Sequence, residues 1–220
     1  MQPQFPDIIL ASRSPRRLEL LKQIVPAERI EVCPPRESDE AGFAGLVGWA
    51  AFEDRLREIA RTKCEDVREQ LAESKADYSA IIAADTTIVV ETSGGGLLAL
   101  EQPPEDDSWP EIVKSWFQEY YLGQTHTAMT AMAVSSPSGA IIESVVKTRV
   151  TMADDAAHLI DWYLATGEPR GKAGGYALQG AGGIFVTAVA GSLSNVVGLP
   201  LRELGESLEE LGIDVHGRHQ

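Results

Sequence analysis

The stretch IILASRSPRRLELL, residues 8–21, decides the fold class. It joins a short β-type run, Ile8 to Leu10, through a tight loop to a segment whose Leu18, Leu21 and Ile24 recur at helical spacing. Ser14 is a good N-cap, Pro15 suits the first helical position, and Arg16 and Arg17 follow at once. A strand feeding a helix in this way is the opening unit of an α/β sheet. The free N–H groups and positive end of such a helix, with two arginines beside them, suit phosphate oxygens. A capped surface helix with solvated arginines fits the same residues.

Working outward, residues 30–33 read as a second strand and residues 34–43 as an acidic loop. A long helix is expected from about 46 to 73, with Leu56, Ile59, Ala60, Val67 and Leu71 on or near one face. Lys63 falls on that face, where its stem can lie along the core with its ammonium in water, or its head can meet an anion in a cleft. The small and β-branched run 80–84 ends at Asp85, and 86–91 follow. SGGG at 93–96 reads as the turn of a hairpin into 97–100. A helix from Ser108 to near Gly123, strands at 125–135 and 140–152, a helix from Asp154 to Leu164, a strand at 184–189 and a last helix at 200–211 complete the chain. The expectation is a mixed, twisted α/β sheet with flanking helices in one domain across residues 1–220.

Composition narrows the function. The formal charge of −14 argues against a surface that coats long nucleic acid, because that mode draws on clustered Lys and Arg. Any anionic ligand must then be met by a few local cations. Two cysteines, Cys33 and Cys64, are too few and too far apart for a disulfide framework or a paired metal motif. No apolar run reaches the ~20 residues of a membrane helix, and residues 1–14 lack a secretion signal, so a cytoplasmic protein is expected.

Besides the first constellation and Lys63, three more carry chemistry. Asp85, placed by this reading at the carboxyl end of a strand, is positioned to bind a metal, to activate water, or simply to form a turn. GKAGGYALQG, residues 171–180, surrounds Lys172, Tyr176 and Gln179 with glycines that let backbone approach a ligand; it is neither a Walker A loop nor a dinucleotide fingerprint. Lysine suits phosphate, and a glutamine amide can read a base edge. Glu37, Asp39 and Glu40 of the acidic loop offer oxygens to a hard divalent cation, though so acidic a chain needs no function for an acidic loop.

Taken in order, ASRSPRRLELL, ARTKC, AADT, GQTHTAMTA, DWYLATGEPRGKAGGYALQG and NVVGLPL resemble the successive signature blocks of the Maf family over residues 7 to 205. The resemblance implies a fold related to the inosine triphosphate pyrophosphatases, two lobes around a cleft, a homodimer, and a Mg2+ or Mn2+ requirement. The implied activity is hydrolysis of the α–β link of a noncanonical or pyrimidine nucleoside triphosphate to the monophosphate and pyrophosphate. Residue by residue it implies phosphate binding by Ser14, Arg16, Arg17 and Lys63, catalysis by Asp85, and substrate contacts by Gln179 and Lys172. The early-loop acid that would join Asp85 on the metal matches Glu40 first and Glu37 second.

This chain departs from the family pattern in three places. Cys64 replaces an alanine, Gln102 stands where a lysine is common, and KTRV carries Arg149 where an acidic residue is frequent. Arg149 is therefore expected to supply the charge that Gln102 lacks, both lying against the substrate. A catalytically weak nucleotide-binding regulator and a nucleotidyl transferase are the two rival readings.

Overall fold

The computed structural model describes residues 8–36 and 42–214. A sheet runs in the order β2 (Ile30–Val32), β1 (Ile8–Ala11), β3 (Ala80–Glu91), β5 (Thr125–Ser135), β6 (Ile141–Met152) and β7 (Val186–Ala190), with β4 (Leu97–Leu100) also paired to β3. The first three strands are mutually parallel and every other pairing is antiparallel, so the sheet is mixed.

Alternation along the strands sends successive side chains to opposite faces, and each face is covered by helix. Ile9, Ala11, Ile81, Ala83, Met129, Ala131 and Ala133 pack under α2 (Gly48–Ser74), which presents Phe52, Leu56, Ile59, Ala60, Cys64, Val67 and Leu71. Their neighbours Ile8, Leu10, Ala80, Ile82, Ala84, Met132 and Val134 meet α1 (Pro15–Leu21) and, near the C-terminus, the buried Leu204 and Leu208. Further along, Ile88, Val90, Ala128 and Met152 join α3 (Trp109–Trp116) and α4 (Ile160–Ala165) in a cluster rich in aromatic residues.

One strand governs the rest of the architecture. β1 pairs with β3 only as far as Ala11↔Ala83, and β4 meets the same edge of β3 only from Leu100↔Ile88 onward. Ala84 to Thr87 therefore lie between two partners that diverge from one edge, while β5 stays paired along the other edge from Ile81 to Val89. The sequence reading placed Asp85 at the end of a strand. It lies instead inside a single strand of 12 residues, because Thr86 to Val90 are β-branched and continue the extended run. What ends at Asp85 is the parallel pairing.

Two further boundaries differ from expectation. The helix after Asp154 begins as a 3-10 turn at Ala156–Leu159, and no side chain caps it. A short helix, α5 (Leu193–Val197), precedes α6 (Leu201–Glu210); Ser192 caps it by accepting from the Asn195 N–H, a signal too brief for periodicity to reveal.

Candidate active site

Where β1 and β4 part, a cleft of about 910 Å3 opens against β3. Its walls hold Ser14, Arg16, Arg17, Lys63, Asp85, Gln102, Lys172 and Gln179, residues drawn from five segments separated widely in sequence.

At its floor, the Lys63 Nζ donates to Asp85 Oδ1 at 2.7 Å. The two side chains are only 15% and 13% exposed, so solvent screens this pair less than a surface one. Lys63 reaches the acid because Ile59, Ala60, Cys64 and Val67 fix that face of α2 on the sheet. Asp85 Oδ2 makes no hydrogen bond among the described residues.

The N-terminal cradle divides its two arginines between distinct tasks. Ser14 caps α1, accepting from the Arg17 N–H at 3.4 Å, and its own N–H donates to Ser12 Oγ at 3.1 Å. Arg17 is drawn inward, donating to Gly198 O at 2.8 Å, Thr86 Oγ1 at 3.1 Å and Ser12 Oγ at 3.3 Å. It braces the end of β1 and the middle of β3 against the loop before α6. Arg16, by contrast, makes no hydrogen bond or ion pair among the described residues; burial lowers its pKa, and Glu168 and Tyr163 offset part of that effect. Arg16 is thus the guanidinium most open to an anion.

Across the cleft runs the glycine-rich loop. Gly174 at φ +70° lies under Tyr121 and Ile88, and its carbonyl accepts from the Tyr121 hydroxyl at 2.8 Å. Lys172 donates to the Glu168 carbonyl, and burial followed by the nearby Arg16 lowers its pKa. Two half-buried cations held this close favour an anion between them. Gln179 is exposed at the tip of the loop, and Gln102 stands exposed between β4 and α3.

Tyr176 is anchored from below by a histidine that sequence reasoning passed over. His126 Nε2 and the Tyr176 hydroxyl share a hydrogen bond of 2.8 Å, while His126 Nδ1 has no partner among the described residues. Burial pushes the His126 pKa down from 6.5 to about 3. The unfolded chain gains a proton below about 6.5 and the folded one does not, so this stability is complete above that pH and is lost as pH falls toward 3. Urea unfolding is expected to show wild type losing about 2 kcal/mol more than His126→Gln between pH 7 and pH 5; equal losses would mean that the imidazole is not held neutral.

Arg149 is not where the sequence reading put it. It lies opposite Thr127 on β6, four positions along the sheet from the row Asp85, Ala131 and Val145 and two strands over from β3, and it does not line the cleft. Strand geometry makes that roughly 13 Å along and about 10 Å across. Its side chain is exposed on the face where Lys147 pairs with Glu53 and Arg61 with Glu143, so it cannot replace a cation at Gln102. Glu37, Asp39 and Glu40 fall outside the described residues.

Among the described residues no group of three or more His, Cys, Asp or Glu side chains is arranged to hold a metal. Asp85 alone, one oxygen bound to Lys63, suits a hard cation that takes one or two carboxylates and completes its shell with substrate phosphates and water.

The site residues and the whole-chain pattern belong to one class: residues 7–211 match the model of the Maf-like protein family, and the chain is a member of it. Among curated relatives, the dTTP/UTP pyrophosphatase of Anaeromyxobacter dehalogenans (strain 2CP-1) is 38% identical over 210 residues, covering 94% of this chain and 95% of the relative. That of Hyphomonas neptunium is 37% identical, covering 96% and 98%. Among solved structures, the Staphylococcus aureus Ham1 protein is similar at 14% identity and a TM-score of 0.44, over 67% of this chain and 72% of that one.

Proposed function

We propose that this chain hydrolyses the α–β phosphoanhydride of a pyrimidine nucleoside triphosphate, dTTP or UTP, to the monophosphate and pyrophosphate. The observation that carries it is the meeting of Arg16, Lys172, Lys63 and Asp85 in one cleft, in a chain matched along its length by relatives of that name. Arg16 and Lys172 take the phosphate oxygens. Lys63 orients the Asp85 carboxylate, which directs water at the α phosphorus and accepts its proton as the bond to the bridging oxygen breaks; pyrophosphate leaves with that bond's electron pair. Gln179 meets the base edge from the opposite wall. Mg2+ or Mn2+, when bound by Asp85 with Glu40 or Glu37, supplies neutralisation of the triphosphate charge. A homodimer in the cytoplasm belongs to the same reading and rests on the family resemblance.

Pyrophosphate release from a panel of ordinary, methylated and deaminated triphosphates tests this. Release from dTTP and UTP with Mg2+ or Mn2+, without any acceptor and abolished by chelator, is the expected result. Release only with an acceptor would favour the transferase, binding without release the regulator, and undiminished release in chelator would remove the metal.

A further inference from the structure

The structure assigns Glu168 as a positioning residue for the base-contacting segment, an inference that rests on the function proposed above. The turn carrying Gln179 closes with the Gly180 N–H donating to Ala177 O at 3.2 Å, and a 3-10 helix follows at Ala181–Phe185. The first N–H groups of such a helix have no partner within it, and Gly180 at the N-cap has no side chain to offer one. Glu168 supplies the cap from 12 residues upstream of that glycine. Its Oε2 accepts from the Ala181 N–H at 2.8 Å and its Oε1 from the Gly182 N–H at 2.9 Å. The Tyr163 hydroxyl donates to Oε1 at 3.1 Å.

The fit is close on every side. A Cβ on Gly180 would collide with the Glu168 carboxylate, and one on Gly182 would come within 2.9 Å of the Tyr163 hydroxyl. Glu168 is itself fixed to the end of α4, since its N–H donates to Thr166 Oγ1 at 3.1 Å and that hydroxyl donates to Tyr163 O at 2.6 Å. The Glu168 carbonyl also holds Lys172. One residue therefore sets both the lysine and, through the turn it clasps, the glutamine. Burial alone would raise the Glu168 pKa, but the Gly182 and Ala181 N–H groups and the Tyr163 hydroxyl outweigh it and hold the carboxyl below its ordinary value.

Glu168→Gln keeps the size but puts an NH2 group against one of two N–H donors. With a non-hydrolysable α,β-methylene analogue of dTTP, binding is expected to weaken on the order of tenfold or more, the scale of losing a charge-assisted hydrogen bond. The preference for this analogue over its guanine counterpart should narrow alongside. A purely structural role would lower the number of competent sites equally for both ligands, leaving Kd and the preference unchanged, and that result would overturn the assignment. Because the analogue is not cleaved, failure of wild type to hydrolyse triphosphates would count against the proposed reaction and not against the clasp. Should the variant fail to fold, the wild type gives an independent answer: in an acid titration the Ala181 and Gly182 amide protons and the Gln179 side-chain amide should shift with one midpoint, below that of an ordinary glutamate. A Gln179 signal that ignores that midpoint would refute the coupling.

Discussion

Asp85→Asn is expected to lower the single-turnover rate of pyrophosphate release by about a thousandfold or more, a barrier increase of roughly 4 kcal/mol or above. The amide preserves the shape of the carboxylate and can still accept from Lys63, so the fold around β3 should survive. What it loses is the charge that orients water and the capacity to take its proton at neutral pH. It also removes one charged partner of Lys63, a side chain only 15% exposed. Measured on the same preparation, triphosphate affinity should change far less than the rate, because Arg16 and Lys172 remain. A variant turning over within a few-fold of wild type would remove Asp85 from the chemistry.

The second large effect concerns stability. Gly174→Ala is expected to cost about 2 to 4 kcal/mol, combining overpacking of a filled site with a left-handed backbone conformation unfavourable to a side chain. The new Cβ would lie 2.5 Å from Ile88 Cγ1 and 2.9 Å from Ile88 Cβ, and against the Tyr121 hydroxyl, at φ +70°. Neither neighbour can move away easily, since Tyr121 and Ile88 are 0% and 2% exposed in the aromatic cluster. The thermal midpoint should fall by roughly 5 to 15 °C. Because Tyr121 donates to the carbonyl of this same glycine, the loop holding Lys172 should loosen before the sheet does. A midpoint unchanged within a degree would show that the loop packs otherwise.

Much of this architecture was legible in the chain. Ser14 and Pro15 announced α1, Leu56 to Leu71 traced one buried face of α2, and SGGG marked the turn between β3 and β4. The convergence of Arg16, Lys63, Asp85, Lys172 and Gln179 followed from blocks read in order, each weak alone.

What escaped the reading did so for identifiable reasons. Arg17 and Arg16 are adjacent and chemically identical, so only the third dimension shows that, of two arginines lining one cleft, the first is bound to Gly198 and Thr86 and the second makes no hydrogen bond among the described residues. Arg149 looked like a compensating cation because charge was counted without strand register, which sets it well away from Gln102. Glu168 was passed over because a single carboxylate in a loop, one of 33 acidic residues, has no periodicity to mark it. His126 sits on a strand whose alternation is consistent with a buried position, but nothing local names Tyr176 as its partner, 50 residues away.

The account depends most on water attacking the α phosphorus beside Asp85. Hydrolysis of dTTP in 18O-labelled water, with the products separated and weighed by mass spectrometry, tests that directly. One labelled oxygen in the dTMP and none in the pyrophosphate is the predicted outcome. Label in the pyrophosphate, or release of orthophosphate with dTDP, would contradict it.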